Sequence, residues 1–134
     1  HHVSYLHEPT RRAFTGDVAG VRIGDGPLLA PTPPPDIDLQ AWRASLDTIE
    51  AWRPSSLAVT HFGAFDDVAE HLAALRAHLD EVEAWAAQGD AASFVARVRA
   101  RAAQGHSAGS YGQALPPEQS FQGLARYLRK RQAG

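Results

Sequence analysis

Polar and apolar residues alternate at the start of the chain, with the period of two that is typical of half-buried strands. We predict strands over residues 2–6 and 12–15, with a turn at 8–11 that makes the pair a hairpin. Residues 20–24 suit a short extension of this hairpin. The second strand runs into Gly16-Asp17, so its end presents a carboxylate.

A third strand is predicted in the middle of the chain. Residues 56–60 are a short, mostly apolar run that delivers His61 at its C-terminal end, and residues 62–65 are expected to form a loop. Three consecutive prolines at 33–35 keep an earlier segment extended and outside the interior of a sheet, because proline fixes φ and lacks a backbone donor.

In the remaining segments apolar residues recur at spacings of three and four, which predicts helices. The glycine- and proline-containing residues 105–117 are expected to be loop. Four helices are expected: one from a cap at Asp36 or Asp38 to about Trp52, one after a cap at Asp66, one at 91–104 after Asp90, and one at 118–131.

The predicted order of elements is two strands, a helix, a strand and three helices, which is a mixed α/β pattern. A sheet of three short strands offers little apolar surface for so many amphipathic helices to pack against. We therefore expect that part of the fold is supplied from elsewhere.

Composition narrows the chemistry that the chain can perform. Its 134 residues include no cysteine, so disulfides and cysteine-based zinc sites are excluded and any metal must be held by histidine and carboxylate. The formal net charge of −2 provides no general basic field for nucleic acid. No apolar run approaches the roughly 20 residues of a membrane span. We expect a cytoplasmic protein with neither a nucleic-acid nor a membrane partner.

Two short motifs place metal-binding groups at strand ends. Phe14-Thr15-Gly16-Asp17 presents the Asp17 carboxylate, with a glycine that leaves room for close approach, and Thr60-His61-Phe62-Gly63 presents the His61 imidazole. In α/β folds, sites collect beyond the C-terminal ends of strands, so one aspartate and one histidine there indicate half of a metal site. Each motif alone is more often an ordinary turn or a packed histidine.

Taken in order, the two motifs make residues 1 to about 79 resemble the second half of the metallo-β-lactamase fold. The group includes glyoxalase II and lactonases, and the proline-rich segment before Ile37-Asp38-Leu39 resembles its generic hydrolase branch. The resemblance implies the C-terminal half of a four-layer αββα sandwich over residues 1–82, followed by a helical C-terminal extension over residues 83–134.

The resemblance also implies roles for the two residues. Asp17 is the carboxylate that bridges two divalent metal ions, expected to be zinc with iron or manganese as alternatives, and His61 is the last ligand of the second ion. The intact enzyme attacks a small-molecule ester, lactone, thioester or amide with a metal-bound hydroxide. No catalytic residue beyond the metal ligands is implied.

The departures from the family pattern bear on activity. The motif His-x-His-x-Asp-His is absent, and the next ligand histidine is expected about two residues before His1. We therefore expect this chain alone to be inactive and to associate with the missing N-terminal half or with itself. His2, Gly16 and Thr60 are predicted to support the metal ligands from the surrounding shell.

Further residues are assigned by their proximity to the two motifs. Tyr5, Arg22, Phe62 and Phe65 are candidate substrate contacts, while His71 and His78 are predicted to lie on a solvated helix face. The alternative function is a non-catalytic half-domain that binds a complementary polypeptide. A nucleic-acid processor is disfavoured by the net charge.

Overall fold

The computed structural model describes residues 2–35, 37–61 and 63–133. These residues form a mixed α/β structure with one four-stranded sheet and five α-helices. The strands are β1 (Tyr5–His7), β2 (Arg12–Gly16), β3 (Ser56–Val59) and β4 (Gly63–Phe65), in that spatial order. Strands β2 and β3 are parallel, and each pairs with an antiparallel edge strand.

The helices are α1 (Leu39–Ala51), α2 (Val68–Ala87), α3 (Ala91–Ala102), α4 (Ala108–Ala114) and α5 (Pro117–Ala133). Asp38 caps α1 by accepting hydrogen bonds from the amides of Gln40 and Ala41, and Asp90 caps α3 through the amide of Ala92. Asp36, the other predicted cap of α1, lies outside the described residues. None of the described helices is long and apolar enough to cross a membrane.

Three predicted segments differ from the structure. Residues 63–65 form β4 rather than loop, because their backbone pairs with β3 in a strand too short for a periodic signal. The predicted loop 105–117 contains α4, which the buried Tyr111 anchors by donating to the Pro27 carbonyl. At 20–24 there is only an isolated bridge from Val21 to Leu29.

The cap of α2 also differs from the prediction, since Asp67 rather than Asp66 holds the N-cap position. The prediction that His71 and His78 face solvent is wrong, because both are buried. Both histidines lie on the same stripe as Leu75 and Val82, at successive spacings of four, three and four. That spacing is legible in the sequence and indicates a buried face.

Among the described residues, the buried side chains of the central strands lie on one face of the sheet. Ala13, Thr15, Leu57 and Val59 of the central strands are buried on that face. The opposite face carries a row of residues paired across all four strands, Tyr5, Phe14, Ala58 and Ala64. All four are half-buried or exposed, and we call this row the outer face.

The core joins the sheet to the later helices through α2. Leu72, Leu75 and Leu79 of α2 belong to one buried cluster with Phe94 of α3 and Leu124 of α5. The C-terminal helices therefore pack on the same core as the strands. The predicted boundary between residues 82 and 83 falls within α2, and the division into two regions stays a prediction.

Candidate metal centre

Asp17 lies at the edge of the sheet, where β2 ends. It begins a 3₁₀ turn, Asp17–Ala19, immediately after the strand. Gly16 makes this change of direction with a φ of +55°, and a Cβ there would stand 3.2 Å from His2 Nδ1. Glycine is needed here for both reasons, because an L side chain is strained at this φ and would meet the histidine ring.

His61 approaches Asp17 from the neighbouring strand. It lies in the turn that follows β3, and because β3 is parallel to β2 the two strand ends meet at the same edge. His61 Nε2 is 3.4 Å from Asp17 Oδ1. The structure thus brings together the two residues that the motifs single out, although they are 44 positions apart in the chain.

His2 contacts the other side of the same carboxylate. Its Nε2 is 3.4 Å from Asp17 Oδ2, and its Nδ1 accepts a hydrogen bond from the Asp17 amide at 3.5 Å. An imidazole that accepts at Nδ1 carries its proton on Nε2, and a protonated nitrogen has no lone pair for a metal. This geometry suits a residue that orients Asp17, the role predicted for His2 from the sequence.

Asp17 Oδ1 is the unusual atom of the site. It is almost inaccessible to solvent and has no hydrogen-bond partner among the described residues. A buried carboxylate oxygen without a donor is costly, so such atoms in native proteins need an explanation, and a bound cation is one. Oxygen and imidazole nitrogen are also suitable donors for zinc, iron or manganese.

The ligand set within this part of the chain is incomplete. Across residues 2–35, 37–61 and 63–133, no three His, Cys, Asp or Glu side chains converge into a metal-binding group. Instead, His2 and His61 approach different oxygens of one carboxylate. A zinc ion normally takes three or four protein ligands, so further donors are needed on each side of Asp17.

A buried histidine on α2 supports the turn that holds Asp17. His71 Nε2 donates to the Ala19 carbonyl at 2.8 Å, and Arg22 donates to His71 Nδ1 at 3.4 Å. Burial lowers the pKa of His71 and the charge of Arg22 lowers it further, so the ring is neutral at pH 7. The sequence-based interpretation missed this residue by placing it in solvent.

Arg22 and Phe65, two of the predicted substrate contacts, lie close to the start of α2. Arg22 lies 4.4 Å from the centroid of the Phe65 ring and donates to both carboxylate oxygens of Asp67, at 2.8 and 2.7 Å. Burial opposes the shift, but the hydrogen bond and charge of Arg22 hold the pKa of Asp67 below its usual value. A contact of Arg22 or Phe65 with substrate stays a prediction.

The remaining predicted site residues are Tyr5, Thr60 and Phe62. Tyr5 is stacked on Phe14 on the outer face, with 5.1 Å between the ring centroids. Thr60 is exposed in the turn after β3. Phe62 lies outside the described residues. The roles predicted for these residues are not tested by their positions.

No family model, no curated protein and no solved structure matches this chain. The chemistry of the site therefore has to be read from its own residues. These are a carboxylate with one oxygen that accepts no hydrogen bond from the described residues, an imidazole on each side of it, and a turn bonded to the helical layer.

Proposed function

We propose that this chain supplies half of the metal centre of a metal-dependent hydrolase of the metallo-β-lactamase type, which cleaves an ester, lactone, thioester or amide in the cytoplasm. The observation that carries the proposal is the position of Asp17. Its buried Oδ1 accepts no hydrogen bond from the described residues and lies 3.4 Å from His61 Nε2, where two parallel strands end. Asp17 would offer this oxygen to a metal ion, with the adjacent His61 as a second ligand.

In this proposal Asp17 and His61 would be ligands of the metal centre, with Asp17 the ligand common to two ions. When bound, divalent ions such as zinc, iron or manganese make water acidic enough to serve as a nucleophile near neutral pH. His2 orients the carboxylate through its contacts with the Asp17 amide and Oδ2. The remaining ligands come from a complementary polypeptide, because each ion needs donors beyond those described here.

The uncovered sheet supports the same proposal. A four-layer αββα sandwich contains two sheets packed face to face, each with helices on its other side. Here the described residues of the outer face are half-buried or exposed, and Val3 and Tyr5 are 76% and 57% exposed. A second sheet that packs against this face would bury these residues and bring its own ligands to the edge where Asp17 lies.

Zinc titration of the full chain tests the metal site. Binding is followed by NMR of ¹³C,¹⁵N-labelled protein, so that the ring signals of each histidine are observed separately. We expect weak, saturable binding that shifts His61, and we expect Asp17→Asn and His61→Gln each to weaken it at least about tenfold. The matched control, His106→Gln in the exposed α3–α4 connection, should bind as the unaltered chain does.

Two results would contradict the proposal. One is zinc binding that Asp17→Asn and His61→Gln leave unchanged, since the metal would then be held by other surface histidines. The other is the absence of any shift at His61 up to millimolar zinc. The hydrolase activity itself is tested by adding a polypeptide that carries His-x-His-x-Asp-His and assaying neutral esters and lactones.

The outer face also favours a second candidate function, a half-domain that binds a complementary polypeptide without catalysis. Exposed Tyr5 stacks on Phe14 to form an apolar surface that a partner sheet can cover. Sedimentation velocity of the chain and of Tyr5→Lys distinguishes the two. Association that Tyr5→Lys disrupts, in a chain that fails the zinc test, favours the non-catalytic candidate.

A further inference from the structure

A cavity of about 360 Å³ opens beside Asp17, between the proline-rich segment and α1. Its size is within the range of small-molecule pockets. Its polar lining residues are His2, Asp17, Asp38 and Ser45. Most of the remaining wall is apolar and consists of Val18, Ile37, Ala41, Trp42 and the prolines at 31, 33, 34 and 35.

Hydrogen bonds within the protein hold the wall of this cavity in place without any ligand. Trp42 Nε1 donates to the Val18 carbonyl at 2.7 Å, which joins α1 to the turn that holds Asp17. On the opposite side, the hydroxyl of the fully buried Thr32 donates to the Ser120 carbonyl at 3.2 Å. This second bond fixes the proline-rich segment to α5. The cavity is therefore preformed.

The charges around the cavity select against anionic ligands. The described ionisable residues that line it are His2, Asp17 and Asp38, and neither lysine nor arginine is among them. The prolines add no backbone N–H that could bind a carboxylate or phosphate. In the chain without metal, a negatively charged group would lie near two carboxylates with neither lysine nor arginine in the described lining to offset them, whereas an alkyl or aryl group would be buried against carbon.

We propose that this cavity binds the uncharged apolar part of the substrate, with the hydrolysable carbonyl directed towards Asp17. The inference rests on the proposed hydrolase function and restricts its substrate class. The preferred substrates are lactones or esters that carry an alkyl or aryl substituent and no carboxylate or phosphate. Thioesters of anionic carriers are disfavoured.

A neutral lactone and the anion formed by opening its ring are the probes that test this inference on the full chain without metal. δ-Octalactone is neutral, and 5-hydroxyoctanoate is the anion formed by opening its ring, with the same alkyl chain. We expect the lactone to shift the Trp42 indole N–H and the Ile37 and Val18 amides saturably in ¹H–¹⁵N spectra. The hydroxy acid should bind at least about tenfold more weakly because of the two carboxylates.

Matched variants of α1 separate the cavity from the rest of the surface. Ala41 is exposed and lines the cavity, whereas Ala44 is exposed on the same helix and does not line it. Ala41→Leu should abolish the lactone shifts at Trp42, and Ala44→Leu should leave them unchanged. Both substitutions add the same side chain to a helix surface, so both variants are expected to fold.

Three results would overturn the inference: equal binding of lactone and hydroxy acid, lactone shifts confined to the outer face, or shifts at Trp42 that survive Ala41→Leu. If the lactone does not bind at all, the cavity is assigned to a segment of the complementary polypeptide instead. The zinc titration keeps the two proposals distinguishable. Zinc binding without lactone binding would reject the proposed substrate class and leave the proposed metal site in place. Lactone binding without zinc binding would reject the proposed hydrolase function.

Discussion

His71 Nε2 donates to the backbone carbonyl of Ala19 at 2.8 Å and so ties α2 to the turn that begins with Asp17. The two residues are 52 positions apart, and His71 is 2% exposed. The candidate metal ligand is therefore positioned by the helical layer as well as by the strand that precedes it. Substitution of His71 on α2 should therefore alter metal binding at Asp17, although His71 is not itself a proposed ligand.

Replacing His71 by leucine removes the Nε2–H donor. The buried Ala19 carbonyl then loses its hydrogen bond to α2. We expect the free energy of unfolding to fall by about 1–3 kcal/mol, and zinc affinity to fall by about tenfold. His71→Gln places an amide donor near the same carbonyl and should restore part of both. Urea denaturation and the zinc titration measure the two effects. A His71→Leu protein that loses stability but keeps its zinc affinity would show that the histidine is structural only.

The ion pair between Arg22 and Asp67 should couple the turn to the start of α2. In a double-mutant cycle with Arg22→Gln and Asp67→Asn, we expect a coupling energy of about 1 kcal/mol, measured by urea denaturation at low salt. The value is kept small because the Asp67 side chain is 40% exposed and water screens the pair. Additive effects of the two substitutions would contradict the coupling.

His78 should make the protein sensitive to acid. Burial lowers the pKa of this ring from 6.5 to about 4, and Arg101 contributes in the same direction, while Glu81 opposes the shift. Between these two pH values the unfolded chain binds a proton that the folded chain does not. The stability is therefore fully present above pH 6.5 and is lost as the pH falls through 4.

The measurement is the melting temperature as a function of pH between 7 and roughly 4. One proton gives a slope of at most about 1.4 kcal/mol per pH unit, and His78→Gln should reduce the observed slope. A residual slope is expected from His71, whose pKa is also lowered. His106→Gln is the matched control and should leave the profile unchanged. An unchanged profile for His78→Gln would rule out its contribution.

Gly123 is required by the close approach of α5 to the proline-rich segment. A Cβ at this position would stand 2.0 Å from the Thr32 carbonyl oxygen, so one of the two backbones has to move. We expect Gly123→Ala to lower the free energy of unfolding by about 1–3 kcal/mol and to weaken lactone binding in the adjacent cavity.

Gly109 in α4 is the control for that substitution, because nothing lies within 4 Å of its Cβ position. Gly109→Ala should raise stability by less than the roughly 1 kcal/mol of a helix interior, because Gly109 lies in the first turn of α4. Thermal and urea denaturation of both variants give the comparison. Equal changes in the free energy of unfolding for the two variants would show that the close approach of Gly123 to Thr32 does not require glycine.

The chain itself determines most of the elements. Apolar spacing and aspartate caps are local signals. They predict a helix from Asp36 or Asp38 to about Trp52 and another at 91–104, and the structure has helices at Leu39–Ala51 and Ala91–Ala102. The parallel strands that end at Asp17 and near His61 were also predicted from a local pattern. The metal-binding role of these two residues stays a prediction, although their meeting at one edge of the sheet is observed.

Only the tertiary structure decided the rest. The strand Gly63–Phe65 exists because β3 offers it backbone partners, and the helix Ala108–Ala114 exists because Tyr111 is buried against a distant loop. The burial of His71 depends on a carbonyl 52 residues earlier in the chain. Such contacts join segments that are remote in sequence, and their free energy appears only when the chain is packed, so no local pattern carries it.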